Sequence, residues 1–427
     1  MTPSSAQGAL LVTNRAQIAL EWNGTETAQA DEVARVALRD GHGGSVVSTG
    51  APLSALLERH AEERGPRGRI NPTRLADART LAGEGVDVQR ELAAARRLLE
   101  VTRALVPERA RPSVVAQSSA VDVVSLPAHE PPRVAHRRNA RVSVILQVEP
   151  TDETVEAKAS VCVAGTLDAI EESALADAVE IVTARADRLA HSTPTPAWDG
   201  NVVFSPEAAG IVVHEAVGHL LEADNYVRLV QPEAEARKRL APPIVDVAEC
   251  ADEGGHWGSI VVDDEGIETH ELRLLAEGRV GELITDTTWA ARVGGPSSGR
   301  GRRAWDLDPV LPRLSRILLL PGDDHVDDVL ARAGDALYVE SLAFGGLDAR
   351  TGTVKLIIRE AHRVGTDRQH FGGIVEEPAS ALLSTITALG SDVEWHQSLC
   401  LKRRQVTPAE NGAPTMLLSP LKVRPAR

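Results

Sequence analysis

Apolar residues change their spacing several times along this chain, and the changes divide it. Over the first 110 positions the pattern is mainly helical. Residues 31–39 and 52–64 carry apolar side chains three and four apart, which predicts two helices. A Gly/Pro/Arg-rich break over 64–72 precedes a longer helical stretch ending near Pro107. From Ser118 the period drops to short β-type runs at 120–126, 141–148 and 155–163, with Pro127, Pro131, Pro132 and Pro150 between them. An amphipathic helix is then predicted over about 167–190, with Thr166 or Asp168 as N-cap. His191-Ser-Thr-Pro-Thr-Pro196 reads as a linker, so domains are expected at 1–195 and 196–427.

Beyond the linker, Ser205-Pro206 marks a helix start, with Ser as N-cap and Pro in the first turn. The helix predicted from Pro206 to about Glu222 is nearly all apolar apart from His214, Glu215 and His219, so it must be buried and its polar groups must find partners. A polar helical insert around 232–239 follows. Residues 259–262, 271–276 and 279–285 then read as consecutive antiparallel strands around the turns at Asp263–Gly266 and Glu277–Gly278. The expected fold is α+β: a helix-rich N-terminal domain with a small sheet, and a β-rich C-terminal domain built around a buried helix.

The net charge of −15 argues against bulk binding of nucleic acid or anionic membrane. No apolar run approaches the ~20 residues that span a bilayer, and the N-terminus lacks a charged start with a long apolar core. A cytoplasmic location is expected. Two Met, three Phe and two Tyr leave the core to aliphatics. Three scattered cysteines exclude a disulfide framework.

The chemistry concentrates in His214-Glu215-Ala-Val-Gly-His219. Two imidazoles beside a carboxylate are the minimum for a water-activating Zn²⁺ site with a general base. The familiar helical pair sits at i and i+4, about 40° apart; at i and i+5 the rings of a regular helix diverge by about 140°. A π-type widening near Gly218 is therefore expected. The third ligand is open on spacing alone among His256, His270, His325, His362, His370, His396, Cys250 and Cys400, with His396 placed four residues before Cys400. Gly294-Gly-Pro-Ser-Ser-Gly-Arg-Gly-Arg-Arg303 lacks the Gly-Lys-Ser/Thr ending of a phosphate loop. Two readings stand there: a mobile loop with Gly299, Arg300, Arg302 and Arg303 near the substrate, or a plain surface loop. Cys162 is expected in the core, and the cluster from His136 to Arg141 at a solvated strand end.

These segments resemble, in order, the TldD/PmbA metallopeptidases. The resemblance rests on Val212-Val-His-Glu-Ala-Val-Gly-His-Leu-Leu-Glu-Ala-Asp224, Val262-Asp-Asp-Glu-Gly266, Gly299-Arg-Gly-Arg-Arg303 with Pro312-Arg313, Gly345-Gly-Leu-Asp-Ala-Arg-Thr-Gly352 and Cys400-Leu-Lys-Arg-Arg-Gln405. The last resembles a Cys-Gly-Lys-x-Gly-Gln segment, with Leu401 and Arg404 standing where the family has glycine. The resemblance implies His214, His219 and Cys400 as zinc ligands and Glu215 as general base. It further implies hydrolysis of small or unfolded peptides, including leader peptides of natural products. It also implies a heterodimer with a PmbA/TldE-like subunit that lacks the motif, or else a homodimer. Two other classes are weighed beside it: a non-proteolytic tailoring enzyme using the same metal and carboxylate, and a non-catalytic binding subunit.

Overall fold

A computed structural model describes residues 9–23, 25–39, 45–49, 81, 87–107, 112–126, 132–150, 154–230, 239–251, 254–305, 308–366 and 368–426. Among the described residues the N-terminal half is built on a sheet rather than on helices. Six strands pair in the order Ser45–Thr49, Glu26–Arg39, Ala9–Trp22, Pro112–Leu126, Arg133–Val148, Val155–Val163, every neighbour antiparallel. Residues 31–39, expected as helix, lie inside the second strand, with Arg39 opposite Ala9 and Asp31 opposite Gln17. A nine-residue window fits either period, and the long hydrogen-bonded partner strand decides. The helix expected over 52–64 and the insert at 232–239 lie wholly or almost wholly outside the described residues.

Two helices cover this sheet. Val88–Leu105 starts where the Asp87 side chain accepts from the Arg90 amide at 3.0 Å, and it buries Ala94, Ala95, Leu98 and Leu99. Glu172–Ala190 buries Leu175, Ala178, Val179, Val182 and Leu189. Its start lies after a short 3-10 turn at Leu167–Ala169, and neither Thr166 nor Asp168 caps it: the flanking residue is Glu171, without a side-chain cap bond.

The C-terminal half holds a six-stranded and an eight-stranded sheet. One orders Arg279–Val280, Leu272–Ala276, Val247–Glu249, Arg316–Leu319, Gln405–Ala413 and Glu394–Lys402. The other orders Ile386–Leu389, Met416–Val423, Trp198–Phe204, Ala336–Asp348, Thr353–Arg363, Gln369–Phe371 and Thr193–Pro194, with Gly373–Pro378 also on Thr353–Arg363. Of the predicted strands at 259–285, Leu272–Ala276 pairs with Arg279–Val280, but 259–262 contributes only a single bridge, Val262 to Glu268. The expected linker is not free. Thr193–Pro194 pairs in parallel with Gln369–Phe371 and ties the end of the N-terminal half to the C-terminal sheet.

Helix Pro206–Val213 runs between the two C-terminal sheets, touching Gln405–Ala413 and Glu394–Lys402 on one side and Ala336–Asp348 on the other. Ser205 caps it, accepting from the Ala208 amide at 3.2 Å. Its mostly apolar surface is thus explained, because both faces meet the core, while Glu207 in the first turn reaches the Arg185 guanidinium.

Candidate metal centre

Past Val213 the helix widens. His214–His219 is a π-helical turn, the form that lets side chains five residues apart face one another. The imidazole centroids of His214 and His219 are 5.0 Å apart at 78°. Gly218 matters here for packing: a Cβ at that position would stand 2.6 Å from Leu314 Cδ2 and 3.1 Å from Ile317 Cδ1.

Cys400, buried on strand Glu394–Lys402, completes a cluster with the two histidines, whose ligand atoms all lie within 4.8 Å of one another. Its Sγ is 3.4 Å from His219 Nε2. Each imidazole is oriented through its other nitrogen. His214 Nδ1 lies 2.8 Å from the Asn411 amide oxygen, and His219 Nδ1 lies 2.8 Å from Glu222 Oε2. Both Nε2 atoms are therefore left for the cluster, the usual arrangement around a metal-ligating histidine. Lys402 Nζ neutralises the acids behind the site, at 2.9 Å from Glu222 Oε2 and 2.7 Å from Asp224 Oδ1. Arg313, fully buried, donates to the Cys400 carbonyl at 2.6 Å and to its sulfur at 3.1 Å.

The charges are mutually supporting. Burial pushes the Cys400 thiol up, but His219, Arg313 and the hydrogen bonds from both imidazoles outweigh it and hold the thiol well below its ordinary value. Burial lowers His219 too, yet Glu222, Cys400 and Glu215 raise it well above 6.5. His214 is raised as well, by Cys400 and Glu215 against burial. Glu222 is pulled down to about 2, with His219 and Lys402 overcoming its burial. Two nitrogens and a thiolate that converge in this way suit Zn²⁺ in chemistry and number, with a fourth position left over.

Glu215 sits beside the cluster. Its Oε2 is 4.0 Å from His219 Nε2 and accepts the Leu347 amide at 3.0 Å. Strand Ala336–Asp348 can come this close because residue 345 is glycine; a Cβ there would stand 3.1 Å from Glu215 Cγ and 2.6 Å from Ile211 Cγ2. His214 and Glu215 line a cleft of about 560 Å³ between the two halves of the chain, together with Arg141, Lys158 and Cys162 from the N-terminal sheet.

Other expected residues fall elsewhere. His396 lines the same cleft but pairs with Glu394 at 3.2 Å, outside the three-residue cluster. The arginine-bearing part of the loop, residues 299–303, is interior and does not line this cleft. Arg300 binds Glu249 at 3.1 Å and the carbonyls of Cys250 and His270; Arg302 binds the carbonyls of Leu314 and Pro408; and Arg303 binds Asp264. Gly299 has φ +69° and no room for a Cβ, which would lie 2.3 Å from the Glu268 carbonyl. Buried guanidiniums need such acceptors, and main-chain carbonyls supply most of them, so no alternation of charge along the loop could announce it. Cys162 is half-buried in the cleft wall rather than in the core. Of the cluster's partners Asn411, Arg313 and Lys402, only Asn411 carried a signal in the sequence, a polar residue on the largely buried strand Gln405–Ala413; Arg313 follows Leu311–Pro312 and Lys402 ends the part-exposed strand Glu394–Lys402.

Residues 199–424 match the family described as the PmbA/TldA metallopeptidase C-terminal domain. A zinc metalloprotease TldD homolog of Saccharolobus solfataricus is 28% identical over 248 residues, 56% of this chain and 54% of that one. A metalloprotease of Methanocaldococcus jannaschii is 27% identical over 240 residues, 53% of this chain and 51% of that one. The chain thus matches about half the length of these curated relatives. The likeness of fold extends further: TldE from Thermococcus kodakarensis superposes with a TM-score of 0.68 at 12% identity, over 97% of this chain and 96% of that one. With the domain match spanning more than half of its residues, the chain belongs to the PmbA/TldD metallopeptidase family.

Proposed function

We propose that the protein is a zinc-dependent peptidase acting on small or unfolded peptides, with His214, His219 and Cys400 as ligands and Glu215 as general base. The observation that carries this reading is a carboxylate at the wall of an open cleft, 4.0 Å from one imidazole of a buried His/His/Cys cluster. Zinc bound there would supply Lewis-acid polarisation of a carbonyl and acidification of a water.

The protein's own residues do the rest. The Leu347 amide, donating to Glu215 Oε2, fixes the carboxylate beside the cluster, where it can take the proton of the attacking water and return it to the leaving amine. Strand Ala336–Asp348 passes over Glu215 along the cleft, where an extended peptide can lie beside it. Asn411 and Glu222 keep the imidazoles from turning, and Arg313 steadies the thiolate.

Trimming of leader peptides in natural-product maturation is one task that suits such a cleft. The complete donor set supports a catalytic role for this chain, paired with a PmbA/TldE-like subunit or with itself. Glu215→Gln tests the reading directly. The variant is expected to keep one zinc per chain while peptide turnover falls by at least about 10²-fold. Unchanged turnover at full zinc would remove Glu215 as the base.

A further inference from the structure

Four cations, Arg141, Lys158, Arg185 and Arg359, line the cleft beside His214, against two carboxylates, Glu207 and Glu215. That inverts the balance of a chain whose net charge is −15. Arg185 is committed, at 2.5 Å from Glu207 and 3.3 Å from Glu360. The other three have no carboxylate within ion-pair distance among the described residues. Among the described residues the Lys158 ammonium makes neither a hydrogen bond nor an ion pair. Arg141 bonds the neutral Gln117 amide, and the Nε atoms of Arg141 and Arg359 are buried without an acceptor.

The fold aims these groups together. Arg141 lies opposite Cys162, and Lys158 lies two and four positions before Ser160 and Cys162, so all four share one face of the N-terminal sheet. Burial lowers Arg141, Lys158 and Arg359 alike; Lys158 is lowered further by Arg141 and Arg359 with exposed Glu156 opposing, and Arg359 by Arg185 with Glu207, Glu360 and Glu156 opposing. Desolvated like charges cost stability unless an anion joins them.

We propose that Arg141, Lys158 and Arg359 form a carboxylate-binding subsite, so that accepted peptides carry an acidic side chain or a free C-terminus alongside the bond presented to Glu215. The inference rests on the peptide reading above and names the substrate class. Guanidinium forks and an ammonium are the groups suited to a carboxylate.

Three fluorescent peptides test it by anisotropy on zinc-loaded Glu215→Gln protein: a hexa-alanine amide, the same peptide with a free C-terminal carboxylate, and the amide with one central Asp. At least one acidic peptide is expected to bind about tenfold or more tighter than the neutral amide, and which one does so identifies the source of the carboxylate. Lys158→Met and Arg359→Met should each shrink that preference severalfold, while Lys158→Arg retains it. Circular dichroism and zinc content verify that the variants fold. Equal binding of all three peptides, or a preference that survives both Met variants, would overturn the subsite. Acid-selective binding without cleavage by the wild-type protein would sink the peptidase reading alone. Cleavage of all three with equal binding would sink the subsite alone.

Discussion

Cys400 is separated from the other two cysteines by its surroundings, not by anything adjacent in the chain. Burial pushes Cys162 up to about 12 and Cys250 up to about 11, whereas His219, Arg313 and His214 bring Cys400 well below 9.0. Cys400→Ala is therefore expected to lose bound zinc by at least about tenfold in affinity, while His396→Ala keeps it. Metal analysis after dialysis against a weak chelator distinguishes the two. The pH dependence has a definite sign. Both histidines are raised in the metal-free cluster, so protons compete with zinc from above pH 6.5 downward, earlier than for an ordinary imidazole. Zinc affinity, measured by chelator competition, should fall on acidification across that range and level off above it. His214, Glu215 and His219 were legible in the sequence as a buried polar trio. The choice of Cys400 was not legible from spacing, because a third ligand 181 residues beyond His219 is selected only by tertiary contact.

At the scale of elements, the hairpin that carries Cys400 pays a backbone cost. Lys402 pairs with Gln405, leaving Arg403 and Arg404 as a two-residue turn with φ of +48° and +69°. Both lie in the left-handed region that a primed hairpin turn demands and that glycine fills without penalty. Arg404→Gly is expected to stabilise the protein by about 1 kcal/mol, seen as a higher melting temperature with zinc content unchanged. A fall in melting temperature would mean that the Arg404 side chain contributes more than its backbone costs. The widened turn at Gly218 followed from periodicity, since two polar side chains on a buried apolar helix must reach one partner. Residues 31–39 misled for the opposite reason: their short amphipathic pattern fits helix and strand equally, and pairing with Ala9–Trp22 settles it. The Arg-rich loop misled because its charge is satisfied inside the fold, by Glu249 and by carbonyls from distant strands.

Across the whole molecule, the cleft exists only because the two halves dock, and the cluster from His136 to Arg141 does much of the docking. Arg137 forms an ion pair with Asp264, which is 1% exposed, and Asn139 accepts the Gly258 amide at 3.0 Å. On the same seam Arg133 reaches the Gly266 carbonyl, and Arg188 pairs with Glu360 at 2.7 Å. Glu215 and the His214/His219/Cys400 cluster proposed to hold zinc come entirely from the C-terminal half, whereas Arg141 and Lys158 reach the cleft from the other. Loosening the seam should therefore divide two properties that an active-site lesion would not. Arg137→Met leaves Asp264 buried without one of its charge partners, a change that costs about 3–5 kcal/mol when such a pair is broken. Zinc content should stay near one per chain, because no ligand is touched. Peptide binding should weaken severalfold, and limited proteolysis should cut faster between the halves, near the Thr193–Pro194 crossing. Loss of zinc in step with peptide binding would instead mean that the C-terminal half does not hold its metal cluster independently of the docked sheet.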